Sequence, residues 1–314
     1  MTDPQDRYAH LSTEQPNLSS KDLDRLTSAE FVDLMQREDE RVLEALAKVR
    51  EELAALIEEL AKRFRSGGRL FYVGAGTSGR LGMLDATECP PTFGTDPDLV
   101  QSILAGGYEC LVRSVEGAED KTDEGAAAID QRGVSAKDFV LGIAASSTTP
   151  FVRGALERAK SIGAFTVFLT CHENPKLDFP IDRIVVLDTG PEVLTGSTRL
   201  KAGTATKLFL NRLTTGAMVR IGKVYENRMV DLYLTCDKLR ERAIRTTREF
   251  TGLDREGAVV LLQKMGGSVK TAILAHRRNL DREAAEDLIA RAGGMLREAL
   301  SLQFDASQDK TDRT

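Results

Sequence analysis

The chain has 314 residues, of which 41% are hydrophobic and 29% charged, and carries a formal net charge of -5. That composition is ordinary for a soluble globular protein and supplies ample material for one large domain or two modest ones. The acidic balance speaks against a nucleic-acid partner or an anionic membrane, and no apolar run approaches the roughly 20 residues needed to span a bilayer.

Residues 1–20 are polar, contain two prolines and read as an extended arm without the features of a signal peptide. Val42, Leu46, Val49, Leu53, Leu56, Leu60 and Phe64 recur at steps of three and four, which predicts one long amphipathic helix over about 41–66. Ser66-Gly67-Gly68 ends it. From there the pattern alternates apolar strand and helix, with strands expected near 69–73, 99–104, 138–144, 164–170 and 183–188. Such alternation favours a parallel sheet covered by helices on both faces. Beyond residue 222 the strands stop and helical patterning takes over. There Leu253-Asp254-Arg255-Glu256 recurs as Leu280-Asp281-Arg282-Glu283, and Gly266-Gly267 recurs as Gly293-Gly294. Each unit reads as an Asp-capped helix stopped by glycines; a duplicated hairpin and chance reuse of common capping signals explain this equally well. The expected organisation is an arm and helix over 1–40, a sheet domain with its leading helix over 41–222, a helical domain over 223–303, and a disordered tail over 304–314.

The first strand empties into Gly74-Ala75-Gly76-Thr77-Ser78-Gly79-Arg80. Glycines let backbone approach an anion closely, the hydroxyls of Thr77 and Ser78 add donors, and the helix expected to begin near Arg80 directs free N–H groups at the loop. Gly74, Gly76 and Gly79 also match a dinucleotide fingerprint. Such a fold wants an acid at the end of the next strand, however, and here that strand ends in Ala105-Gly106-Gly107. There is no P-loop lysine either. Two further hydroxyl-rich loops follow later strands, Ser146-Ser147-Thr148-Thr149-Pro150 and Thr195-Gly196-Ser197-Thr198-Arg199. One such loop alone reads better as a helix N-cap; three after strands of a parallel sheet converge beyond the strand ends and favour a sugar phosphate. The candidate ligands are Gly76, Thr77, Ser78, Gly79, Ser146, Ser147, Thr148, Thr149, Ser197 and Lys201.

Two carboxylates stand out by context. Glu88 precedes Cys89-Pro90-Pro91, and the prolines are expected to end the helix and hold Glu88 at its electronegative terminus, as suits a general acid. A solvated helix end is an equal reading. Glu119 is expected in the first turn of a helix over about 119–131, where the positive end favours a carboxylate and suits a general base. Taken alone, it reads better as a simple dipole-compensating acid. Cys89, Cys110, Cys171 and Cys236 are scattered without metal-ligand spacing, and only three histidines are present, so reduced thiols in the cytoplasm and no metal site are expected.

The segments Gly74–Gly82, Glu88–Thr92, Glu116–Asp120 and Gly196–Lys207 closely resemble N-acetylmuramic acid 6-phosphate etherases, a likeness running in order from about Thr13 to Leu302. The resemblance implies a sugar isomerase (SIS) fold of flavodoxin-like type with a small all-helical C-terminal domain, no metal or organic cofactor, and a homodimer working in cell-wall sugar recycling. It implies cleavage of the D-lactyl ether to N-acetylglucosamine 6-phosphate and D-lactate, with the two active-site glutamates at Glu88 and Glu119. Lys238 enters as a ligand by analogy with sugar-phosphate-binding relatives. The second loop departs from the family pattern: where Ala-Ala-Ser-Gly-Arg-Thr-Pro is usual, this chain has Ala144-Ala145-Ser146-Ser147-Thr148-Thr149-Pro150, which replaces a glycine and an arginine with hydroxyl residues. Kinase regulators with similar loops carry two such domains, and this chain has room for one. An aldose–ketose isomerase and a non-catalytic sugar-phosphate sensor are the alternative functions.

Overall fold

The computed structural model describes residues 11–113, 115–146, 149–175, 177–234 and 236–302. They fall into two compact units, one built from the described residues up to Glu88 with Pro97–Thr215, the other from Cys89–Asp96 with the described residues from Gly216 onward.

The first unit opens with short 3-10 turns and then α1 (Ser28–Lys48), entered through a reciprocal box in which Thr27 Oγ1 accepts from Glu30 N and Glu30 Oε2 accepts from Thr27 N. The single long helix expected over 41–66 is instead two. α1 ends at Lys48, Val49 leaves helical geometry at φ -98° and ψ 15°, and α2 (Arg50–Arg65) follows. The apolar stripe passes straight through the break: Val42 and Leu46 before it, and Leu53, Leu56 and Leu60 after it, are all buried. Periodicity reports which face is buried and is blind to a local break in the hydrogen-bond ladder.

The sheet is parallel, with strands β1 (Leu70–Gly74), β2 (Val100–Leu104), β3 (Phe139–Ile143), β4 (Phe165–Thr170) and β5 (Arg183–Val186) in the order β2-β1-β3-β4-β5. That is the flavodoxin-like order, and its switch point lies between β1 and β3. β1, β2 and β3 are buried along their whole length, as strands covered on both faces must be. α4 (Thr122–Gln131) and α5 (Pro150–Ile162) contribute to one core with Phe71, Val73, Val140 and Phe168. α3 (Gly76–Phe93) meets the face presented by Tyr72, whose hydroxyl donates to Asp85. α6 (Lys201–Arg220) joins the same carboxylate through Asn211 and Thr214.

In the second unit a two-stranded hairpin, β6 (Val224–Tyr225) with β7 (Arg228–Met229), adds strand where only helix was expected. It is followed by α7 (Asp237–Thr251), α8 (Arg255–Lys264), α9 (Val269–Arg278), α10 (Arg282–Arg291) and α11 (Leu296–Ser301). The repeat is structural. Asp254 accepts from Gly257 N and Asp281 from Ala284 N, and the two glycine pairs share nearly the same left-handed backbone, φ +64° and +82° against +61° and +83°. Each unit is therefore one Asp-capped helix, a Gly-Gly corner and a returning helix around a shared core that includes Leu262, Ile273, Leu288 and Leu296. Among the described residues no single helix is long and apolar enough to cross a membrane.

Candidate active site

The sheet delivers β1, β2 and β3 to one edge in register, with Gly74 opposite both Leu104 and Ile143. Immediately beyond Gly74 the chain turns from strand into helix. A side chain at Gly74 would meet Gly79 N at 2.6 Å, and one at Gly79 would meet Gly74 O at 2.6 Å, so strand end and first helical turn touch backbone to backbone. Gly76 takes φ +52°, which lets α3 start there rather than near Arg80 as expected. Gly79 N bonds back to Ala75 O at 3.3 Å. The amides of Gly76, Thr77 and Ser78 consequently have no intrahelical acceptor and open an electropositive helix end beside two hydroxyls.

The other two loops are not equivalent to this one. In the second, Ala145 O accepts from Cys171 N and from Thr170 Oγ1, which pins the loop base to β4. Ser146 and Thr149 are half-buried, and Thr149 precedes α5 without a side-chain cap. Ser147 and Thr148, both expected ligands, lie outside the described residues. In the third, the helix end is already taken: buried Glu192 accepts from Lys201 N at 3.1 Å and Ala202 N at 2.9 Å. Burial pushes the Glu192 carboxyl up, against the pull of those two amides and the Lys201 charge. An internal carboxylate thus occupies the anion position of α6. Ser197 is half-buried within that loop. The start of α6 still approaches the glycine loop, since a side chain at Gly203 would lie 3.6 Å from Thr77 Cγ2.

Of two cations expected as ligands, one is committed inside the fold and the other belongs to the second unit. The Lys201 ammonium is 1% exposed and paired with Glu38, which also accepts from Asn17 Nδ2 at 2.7 Å. Its charge is neutralised inside the protein rather than offered to a ligand. Lys238 lies exposed in the first turn of α7, in the second unit.

Glu119 falls in a 3-10 turn, Ala118–Asp120, just ahead of α4, which begins at Thr122 rather than at 119. It is exposed, and it lines a cavity of about 280 Å³ together with Gly76, Arg80, Ala105, Cys110 and Glu116. The glycine loop and one candidate glutamate therefore share a wall. A larger cavity of about 590 Å³ flanks it and shares Val115, Glu116 and Ala118. It does not reach the glycine loop, so the smaller one is the candidate site. Glu88 is exposed on α3 and is not among the residues lining either cavity. The helix does not stop at the prolines; it carries Pro90 and Pro91 inside and ends at Phe93, with Gly94 N bonding back to Pro90 O at 2.9 Å. Two prolines this close to a C-terminus remove only the bonds to the carbonyls of Ala86 and Thr87, too little to terminate the helix.

Sequence reasoning missed Arg80, which lines the cavity, and Asp85, which is buried and accepts from Tyr72 Oη at 2.7 Å, Asn211 Nδ2 at 2.6 Å and Thr214 Oγ1 at 3.2 Å. Asp85 locks the middle of α3 to β1 and α6. The only local signal for it is its place one turn before Glu88.

Residues 52–160 match the family model of the glucokinase regulatory protein N-terminal SIS domain. N-acetylmuramic acid 6-phosphate etherase of Trichormus variabilis is 52% identical over 93% of this chain and 95% of its own length. That of Nostoc sp. is 52% identical over 96% and 98%, and that of Thermosynechococcus vestitus 54% identical over 85% and 87%. Among solved structures, a protein of Escherichia coli CFT073 is 18% identical with a TM-score of 0.44, covering 62% of this chain and 93% of that one. A phosphosugar isomerase homologue from Bacteroides fragilis is 21% identical with a TM-score of 0.43, covering 61% and 90%.

Proposed function

This chain belongs to the N-acetylmuramic acid 6-phosphate etherases, carbon–oxygen lyases with a SIS-type domain, and from that membership we propose how its residues perform the reaction. The 6-phosphate is held at the start of α3 by the amides of Gly76, Thr77 and Ser78 and the hydroxyls of Thr77 and Ser78. From the second loop, Ser146 and Thr149 are assigned as further polar ligands. Gly79 provides the close approach rather than a donor, and Ser197 reaches the site from the third loop. In the open-chain sugar the C2 proton is acidic because it lies beside the aldehyde. Glu119 takes that proton, and the C2 electron pair forms a C2=C3 double bond as the C3–O bond to the lactyl group breaks. Glu88, which lines neither cavity of the single chain, is assigned from the family resemblance to give its proton to the departing oxygen, which leaves as the hydroxyl of D-lactate. Water then adds, hydroxyl to C3 and proton to C2, giving N-acetylglucosamine 6-phosphate. Carboxylates suit both proton transfers near neutral pH.

The observation that supports this reading is the cavity wall shared by Gly76 and Glu119, a carboxylate beside a glycine-rich helix start. The working unit is proposed to be a homodimer, as in the family resemblance, and the compartment the cytoplasm, in keeping with four free cysteines. A doubled mass in solution is the expected result for the first.

Lactate release from N-acetylmuramic acid 6-phosphate tests the function; conversion of the sugar without lactate would indicate an isomerase instead. Deuterium exchange at C2, followed by NMR, tests the roles. Glu88→Gln is expected to stop lactate release yet permit exchange, and Glu119→Gln to abolish both. The reverse pattern would exchange the assignments.

A further inference from the structure

The substrate of the reaction proposed above carries two anions, the 6-phosphate and the carboxylate of its lactyl group, and a phosphate cradle provides for one of them. The cavity beside the cradle contains one cationic side chain among its lining residues, Arg80, facing two acids, Glu116 and Glu119. Arg80 stands one helical turn beyond Gly76, so about 6 Å of helix separates its Cα from the first cradle amide. Arg80 is half-buried, and its Nη2 donates to Arg113 O at a long 3.5 Å. This cation has no carboxylate partner among the described residues, in contrast to Lys201, Arg69 and Lys160, each of which is paired. A planar fork of N–H donors matches a carboxylate in two-point contact, which a lysine ammonium does not.

We propose that Arg80 binds the lactyl carboxylate and so recognises the leaving group. This inference rests on the etherase reading. The chemistry adds a second reason for a cation at this place. As the C3–O bond breaks, negative charge develops on an oxygen two bonds from the carboxylate carbon, and a guanidinium holding that carboxylate counters the repulsion between the two. Glu119 on the same wall takes the C2 proton, so Arg80 also places C2 and C3 against the base. The sequence offers the residue inside the glycine motif but not its task, because nothing local separates an arginine aimed into a cavity from one solvated on a helix.

Lactate release by the unaltered protein is measured first; its absence refutes the etherase reading itself, whatever Arg80 does. With release established, Arg80→Met and Arg80→Lys are compared on N-acetylmuramic acid 6-phosphate and on its lactyl carboxamide, with N-acetylglucosamine 6-phosphate as a competing ligand that lacks the lactyl group. Loss of a charge-assisted two-point contact predicts that Arg80→Met raises KM for the carboxylate substrate by roughly 10- to 100-fold. Its KM for the carboxamide, which keeps one acceptor oxygen, should rise several-fold less than that for the carboxylate, and its affinity for N-acetylglucosamine 6-phosphate, which has no lactyl group to lose, should stay within about twofold. Arg80→Lys should restore part of the preference for carboxylate over carboxamide. Equal weakening of all three sugars would make Arg80 a phosphate ligand or a packing residue and overturn the proposal. An unchanged preference for carboxylate in Arg80→Met would overturn it too.

Discussion

Single residues in this protein divide into those that hold the fold and those offered to a ligand. Asp138 is of the first kind. It is buried just ahead of β3 and accepts from Arg69 N at 2.7 Å, Arg69 Nη2 at 2.9 Å and Ser135 N at 2.7 Å, clamping the entry of β1 to that of β3. Burial raises its carboxyl, but the Arg69 guanidinium and the two amides together outweigh it and hold it below the usual range. A depressed acid contributes stability above the unfolded carboxylate value, near pH 4, and loses it as pH falls through the lower folded value. Asp138→Asn should cost about 3 kcal/mol at neutral pH, because the Arg69 charge is left without its partner. Its denaturant midpoint should also fall less steeply below about pH 4 than that of the unaltered chain; parallel pH profiles would argue against this role. Ser78 is proposed to be of the second kind. Ser78→Ala should leave the melting temperature within a degree or two, yet lower affinity for the 6-phosphate sugar by about 1.5–3 kcal/mol, as read by calorimetry. Unchanged affinity would remove Ser78 from the site.

At the scale of elements, the three strand-to-helix loops look alike in composition and differ in what their helix ends hold. α3 begins with open amides after a glycine turn, whereas α6 begins with its amides bonded to Glu192. Glu192 also closes the third loop into a ring between residues 192 and 202. The N-terminal segment braces it, with Gly196 N donating to Thr13 O and Ser20 Oγ to Val193 O. Glu192→Ala should therefore cost about 1–3 kcal/mol from the two amides left without an acceptor in a buried place. The loss should appear as faster hydrogen exchange at Lys201 and Ala202, with β1 and β3 still protected. Exchange spread evenly across the sheet would mean that Glu192 supports the whole unit rather than this helix end.

Among the described residues each compact unit has a core cluster of its own, on the sheet around Phe71, Val140 and Phe168 in the first and around Ile273, Leu274 and Leu288 in the second. Separate cores predict that damage in one is felt there first. Ile273 is fully buried, so Ile273→Ala should remove about 2–5 kcal/mol through lost burial and a residual cavity. Native-state hydrogen exchange is the measurement, and α8 to α11 are expected to lose protection before β1 and β3. Loss of protection in step across both units would show that they unfold as one.

Sequence alone determined whatever depends on near neighbours in the chain. The strands declared themselves as apolar runs between turn residues, and every strand of the parallel sheet lies within two residues of its expected ends. The Asp caps and glycine pairs 27 residues apart were legible too, because capping needs only three or four consecutive residues, but duplication and chance stayed level until the two folded corners matched. The glycine-rich turn from β1 into α3 was legible for the same reason. What remained belonged to residues brought together across the chain. Lys201 read as a free ligand until Glu38, 163 positions away, proved to be its partner. The helix end after the third loop read as vacant until Glu192 filled it, and Arg80 read as a helix start until a cavity formed beside it. Periodicity and capping are short-range, while the pairing of buried charges and the shape of a cavity follow from which strands lie side by side, and only the folded sheet sets that order.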